Sequence, residues 1–280
     1  MFSSQPRRLG VGINYTTSAA ANICKNINTF DFIEVSTERF FIDHNNDKLD
    51  YIIENLPTVL HGLTLSLGAS QTISENYLHN LKSTLGRINC EWFSEHIGLT
   101  NINGLEIRSL MPTEFTDQSV SNIVTKAKQI MALTNKPFLL ENISYYFTMP
   151  NNNMSEVDFI QAVVKGSDCG LLLDLNNLYV NSINHKYDPY DFVDKLPLDR
   201  VVEVHLAGCE YMNGMLIDTH ASHTKNEVLS LFEYVCDRAK ISGVIIERDA
   251  KLDDFSLLVD EVNLVRGIFD RAYGRLTHAS

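Results

Sequence analysis

Eight short, strongly apolar runs recur along the chain, and between them apolar residues fall at helical spacing. The runs are Gly10 to Tyr15, Phe30 to Val35, Thr58 to Leu65, Trp92 to Leu99, Phe138 to Ile143, Leu171 to Leu175, Val201 to Leu206 and Val244 to Glu247. GLLLDL and VVEVHL are nearly continuous in apolar residues, the pattern of parallel strands covered on both faces. Helical spacing predicts helices over Asn76 to Ile88, Ser119 to Leu133, Lys225 to Ala239 and Asp254 to Phe269. Eight such units in 280 residues predict an α/β chain folded as a (β/α)8 TIM barrel. A doubly wound open sheet is the alternative, but no G-x-G-x-x-G follows the first strand, which weakens its dinucleotide-binding form. No Pro/Ser-rich linker interrupts the alternation, so a single domain over 1–280 is expected.

Charge and cysteine usage narrow the function classes. Lys plus Arg number 23 and Asp plus Glu 35, a formal charge of −12. Neutralising phosphates needs a basic face, so a nucleic-acid partner is not expected. The apolar runs are far short of the roughly 18 residues of a membrane span. The opening MFSSQPRRLG has two arginines and no apolar stretch behind them, so no secretory signal is expected. Cys24, Cys90, Cys169, Cys209 and Cys236 are odd in number, widely spaced and without a C-x-x-C pair. They read as buried thiols in a reducing cytoplasm rather than a disulfide framework or a zinc ribbon.

The chemistry lies where the apolar strands end. Strand three ends in VLHG with His61, strand four in SEHIG with Glu95 and His96, and strand five in LLEN with Glu141 and Asn142. Strand six reads LLLDLNN with Asp174 and Asn177, strand seven VEVHLAG with Glu203 and His205, and strand eight VIIERD with Glu247. The loop after strand seven carries IDTH, with Asp218 and His220. One polar strand end means little, since capping explains it. In a (β/α)8 barrel, however, all of these ends converge on one face. Buried carboxylates need positive compensation, and imidazole with carboxylate suits zinc, iron or manganese.

His61, His96, Glu141, Asp174, Asn177, His205, Asp218, His220 and Glu247 are thus nine candidate metal ligands. A catalytic ion takes three or four, so the set predicts two or three ions with a bridging carboxylate. Asp218 and His220 are expected to face one way if their segment is extended. His44, His79, His185, His223 and His278 read as surface or structural. Glu203, Arg248 and Asp249 are candidates to support the ligands, Cys209 reads as a packed loop thiol, and Arg108 is a candidate contact for a substrate carboxylate or peptide.

The strings LHGLTLSLG, SEHIG, LLENIS, GLLLDLNNLYVN, EVHLAG, DTHAS and VIIERD resemble the multinuclear non-haem iron-dependent oxidative enzymes, from about Gly10 to Asp249. Within them the chain is most similar to the methanobactin-biosynthesis branch. The resemblance implies two or three iron ions, mixed Fe(II)/Fe(III), with O2 as co-substrate, and Glu141, Asp174 and His205 in the catalytic role. It implies as substrate a ribosomal precursor peptide with cysteines, bound with a small leader-recognising partner protein. In that branch a peptide cysteine undergoes a four-electron oxidation to an oxazolone and a neighbouring thioamide. The ligand order is also similar to that of endonuclease IV-like barrels. That pattern implies one ion on His61, His96 and Glu141, a second on Glu141, Asp174, His205 and Glu247, and a third on Asp218 and His220. Asn177 departs from it, since those barrels carry a histidine there. Another peptide-cysteine modification by the same iron family, a metal-dependent hydrolase or sugar isomerase on the same barrel, and a non-catalytic metal-binding scaffold remain as alternatives.

Overall fold

The computed structural model describes residues 5–42, 46–102 and 105–278, so His44 lies outside the described residues, as do the side chains of Arg108 and His278. Eight parallel strands close into a barrel: β1 (Gly10–Asn14), β2 (Ile33–Ser36), β3 (Thr58–Gly62), β4 (Cys90–His96), β5 (Phe138–Glu141), β6 (Gly170–Asp174), β7 (Val201–Leu206) and β8 (Gly243–Ile246). Each pairs with the next, and β8 closes onto β1 with Gly10 opposite Gly243. The predicted TIM barrel is therefore the fold. Strands three, four and five stop sooner than their apolar runs, at Gly62, His96 and Glu141.

Nine helices surround the barrel among the described residues: α1 (Ala20–Lys25), α2 (Asp47–Asn55), α3 (Glu75–Arg87), α4 (Asp117–Leu133), α5 (Glu156–Ser167), α6 (Leu175–His185), α7 (Pro189–Lys195), α8 (Asn226–Cys236) and α9 (Phe255–His278). Their starts are chemically marked. Thr116, Ser155 and Asp188 each accept a backbone N–H of the first turn of α4, α5 and α7, relieving the unpaired donors of a helix start. Two antiparallel hairpins rise from the strand C-terminal ends: Leu99–Ile102 with Leu105–Met111 after β4, and Cys209–Met212 with Met215–Asp218 after β7.

The barrel interior is layered. Phe32, Val59, Trp92, Leu139, Leu172, Val202 and Ile245, all 0% exposed, form an apolar cluster of their own inside the ring. Two residues beyond six of them, all but Val202, stand Glu34, His61, Ser94, Glu141, Asp174 and Glu247. Side chains two apart on a strand share a face, so a polar layer lies directly above an apolar plug. Four of the five cysteines are buried, Cys24 is half-buried, and all five are free thiols.

Candidate metal centre

Three histidines at this end of the barrel each turn one ring nitrogen to a protein partner. His61 Nδ1 lies 2.8 Å from Ser94 Oγ, and that hydroxyl donates its one hydrogen to the Leu60 carbonyl. His61 is therefore the donor, and its Nε2 keeps a lone pair. His96 Nδ1 faces the Gly62 carbonyl at 3.2 Å, which can only accept. His205 Nε2 faces Glu34 Oε2 at 3.1 Å, which leaves Nδ1 turned the other way.

The opposite ring nitrogens converge. The Nε2 atoms of His61 and His96 are 3.3 Å apart, and Glu141 Oε2 lies 3.3 Å from one and 3.2 Å from the other. His205 Nδ1 lies 3.5 Å from Glu141 Oε1 and 3.3 Å from Glu247 Oε2. Glu141, Asp174 and His205 likewise bring donor atoms within 4.8 Å of one another. Ligands bound at about 2.1 Å stand roughly 3.0 to 3.4 Å apart around one ion, and the 3.2 to 3.3 Å spacings among His61, His96 and Glu141 fit that range. Glu141 Oε2, Asp174 Oδ2, His205 Nδ1 and Glu247 Oε2 are buried and make no hydrogen bond. Stranded donors of this kind cost free energy unless something positive meets them.

Asp218 and His220 join on the outer side. His220 Nε2 is 2.9 Å from Asp218 Oδ2 and 3.6 Å from Glu247 Oε2. They do not meet as neighbours on an extended segment. Asp218 ends a hairpin strand, and His220 follows with φ +48°, a left-handed turn that folds its ring back. The hairpin turns at Asn213 and Gly214, both with positive φ, as a tight two-residue turn demands. Gly208 admits the segment: a Cβ there would stand 2.1 Å from the Ser222 carbonyl oxygen.

Asp174 serves two structures. Its Oδ1 caps α6 by accepting the Asn177 N–H at 2.7 Å, which leaves Oδ2 toward the cluster. Asn177 donates its amide to the Asn142 carbonyl and keeps a buried, unpartnered Oδ1. All nine sequence-predicted residues are thus gathered at the C-terminal end of the barrel. Glu95 turns elsewhere and accepts the backbone N–H of Leu65 and of His96.

Sequence reasoning missed Glu34, Ser94 and Asn176. Asn176, fully buried, donates to Asp218 Oδ1 at 2.8 Å. A period-two reading of FDFIEVS, carried inward from Phe32, would have found Glu34. Of the candidate supports, Asp249 lies 3.1 Å from His220 Nδ1, and Arg248 is buried in an ion pair with Glu261 at 2.7 Å. Glu203 accepts the Trp92 indole N–H at 2.7 Å. Among the remaining histidines, His185 bonds to the Tyr145 carbonyl and stacks on its ring, His223 pairs with Glu261, and His79 is exposed.

The electrostatics of the site favour positive charge. Burial opposes a charged His96, yet Glu141, Glu95 and Glu247 raise it to about 9. Burial, with Glu247 and Glu141 nearby, pushes Asp174 well above the carboxylate range. Against the same burial, His220 and His205 hold Glu247 low, and His96 and His61 hold Glu141 low. Protons on imidazoles and on Asp174 do here what a multivalent cation does better. The donor set therefore fits a metal centre.

The comparisons agree with an enzyme of this build. The family model described as RiPP precursor modification enzyme MbnB/TglH/ChrH matches residues 10–270. A UPF0276 protein of Caulobacter vibrioides (strain NA1000 / CB15N) is 32% identical over 238 residues, 84% of this chain and 85% of that one. One from Alcanivorax borkumensis is 34% identical over 245 residues, 85% and 82%. Among solved structures, endonuclease IV from Thermus thermophilus superposes with TM-score 0.62 at 14% identity, covering 94% of this chain and 99% of that one. D-Psicose 3-epimerase from Clostridium cellulolyticum does so with TM-score 0.58 at 10% identity, covering 94% and 99%. At such identities the structural likeness speaks for the fold alone.

Proposed function

Because the chain belongs to the MbnB/TglH/ChrH family of RiPP precursor modification enzymes, which modify ribosomally synthesised peptides, we propose that it is an O2-dependent multinuclear iron oxidase. Its substrate is a cysteine of a precursor peptide, presented with a small leader-recognising partner protein. Its reaction is the four-electron conversion to an oxazolone and thioamide, matched by reduction of O2 to water. The observation that carries the metal centre is the set of four buried, unpartnered donor atoms on Glu141, Asp174, His205 and Glu247. Nitrogen and carboxylate donors without a protein thiolate suit iron that works with O2.

His61, His96 and Glu141 would hold one ion, and Glu141, Asp174, His205 and Glu247 a second. Asp218, His220 and the Asn177 amide oxygen would complete a third. Glu247 lies 3.3 Å from His205 and 3.6 Å from His220, so it would serve the second and third ions together. Iron held there supplies oxidation by O2 and a seat on which a cysteine thiol ionises.

The chain's own contribution is position, burial and a path for protons. His205 is 0% exposed, which seals the floor, whereas His220 is 19% exposed and opens toward solvent. Asp249, 54% exposed, accepts from His220 Nδ1 and can pass a proton from its Oδ2 to water. Asn14 donates to the other oxygen of Asp249 at 2.8 Å and so steadies that pair. Around the mouth, Leu63, Ile102, Leu105, Phe147, Tyr211 and Met212 stand exposed on loops after β3, β4, β5 and β7. Such an apolar rim suits an extended peptide better than a compact polar metabolite.

The test is direct. Protein purified anaerobically should contain iron. It should consume O2 only when the cysteine-bearing peptide encoded beside its gene is added, and the peptide should lose four hydrogens in mass. Zinc alone, with turnover of a phosphodiester or sugar and no O2 uptake, refutes the proposal in favour of a hydrolase or isomerase.

A further inference from the structure

Strand β2 supplies none of the nine candidate ligands, yet it places Glu34, 3% exposed, inside the barrel with Oε2 3.1 Å from His205 Nε2. That contact turns the ring so that Nδ1 faces Glu141 at 3.5 Å and Glu247 at 3.3 Å, and Nδ1 makes no hydrogen bond. Because His205 is fully buried, bulk water cannot set its tautomer. Behind it, Glu203 lies with Glu34 and His205 within 4.8 Å and accepts the Trp92 N–H.

We propose that Glu34 is a positioning residue of the metal centre: it accepts the Nε2 hydrogen of His205 and thereby fixes Nδ1 toward Glu141 and Glu247. The inference rests on the metal-centre reading above. A carboxylate behind a ligating imidazole orients the ring and raises its basicity, and removing such a partner typically weakens metal binding 10- to 100-fold. The rival arrangement makes Glu34, Glu203 and His205 Nε2 a deeper trio of ligands. The geometry favours positioning, because His205 Nε2 already meets Glu34 at 3.1 Å whereas Nδ1 is the nitrogen left without a partner.

The experiment titrates metal-free full-length wild type, Glu34→Gln and Glu34→Asp with Co(II) under anaerobic conditions. Visible absorption counts the equivalents bound, and the hyperfine-shifted exchangeable imidazole N–H resonances report the ligating histidines. Glutamine keeps the volume and an acceptor oxygen, and aspartate keeps the charge. All three proteins should bind the same number of equivalents. Glu34→Gln should bind one of them about 10- to 100-fold more weakly and shift one N–H resonance. Glu34→Asp should recover part of the loss. Unchanged affinity and spectra overturn the proposal. So does loss of a whole equivalent, which makes Glu34 a ligand. Uniform weakening of every equivalent with a lowered melting temperature also overturns it, as a merely structural effect. A wild type that takes up no Co(II) sinks the metal-centre reading itself, whereas uptake with an indifferent variant sinks this inference alone.

Discussion

Replacing Glu141 with glutamine keeps the volume and removes the charge nearest three imidazoles, at 3.3 Å from His61, 3.2 Å from His96 and 3.5 Å from His205. In the metal-free protein, burial alone would disfavour a charged His96, but Glu141 and its neighbours raise it from 6.5 to about 9. That rise corresponds to about 3 kcal/mol. A unit charge 3.2 Å away at an effective dielectric constant near 20 contributes about 5 kcal/mol, enough to carry it. In Glu141→Gln the largest raising influence is gone, and His96, held up only by Glu95 and Glu247 against its burial, should titrate well below 9. The sign for stability follows. In metal-free wild type the contribution of His96 is complete below pH 6.5 and is lost as pH rises through about 9, and in the variant that decline should be smaller and end at lower pH. Imidazole NMR across pH 5 to 10, with urea unfolding at both ends, measures both effects. Iron content should fall with them, since a bridging carboxylate serves two ions. A variant whose His96 still titrates near 9, or which keeps full iron occupancy, refutes the reasoning.

Other substitutions probe other parts of the account. Gly208→Ala places a Cβ 2.1 Å from the Ser222 oxygen. It should cost about 1–3 kcal/mol by overpacking and displace the Asp218–His220 segment, so metal analysis should show the outer equivalent lost and the inner ones retained. Glu156, buried beneath Tyr145, Tyr187 and Asn181, is raised to about 7 by its burial although all three donate to it. The native state therefore holds its proton more tightly, and stability should fall as pH rises from 4.5 to about 7 and then level off. Glu156→Gln should flatten that segment of the pH–stability curve, read by chemical unfolding. His185→Ala removes a ring stacked 4.3 Å from Tyr145, outside the cluster. Metal content and turnover should be unchanged, with a stability loss of about 1 kcal/mol by thermal melting.

The eight barrel strands were legible because parallel strands buried on both faces read as unbroken apolar runs, and their polar ends mark one mouth. The gathering of the nine candidate residues followed from that topology. What was hidden is instructive. Glu34 sits in FDFIEVS, where one acid in a short strand looks like ordinary alternation until the inward face is known. The start of α6 was invisible because Asp174 ends a strand and caps a helix with no loop between, so LNN reads as a strand tail. The hairpin after β7 carries a legible signal, Asn213-Gly214 between apolar pairs, although its wider stretch reads as a connecting loop. The Asp218 and His220 pair met as expected but by another route, since a left-handed turn at His220 depends on the packing of Gly208 against Ser222 rather than on strand periodicity. Lys126 lies beneath the loop after β3, donating to the Ser66, Leu67 and Ala69 carbonyls. In the sequence it is one polar position of a helix.

The measurement closest to the central claim is anomalous diffraction at the iron edge from crystals grown anaerobically with Fe(II). Peaks among His61, His96 and Glu141, and among Glu141, Asp174, His205 and Glu247, are the predicted result. A cluster without an iron peak, its carboxylates and imidazoles paired only with one another, contradicts it.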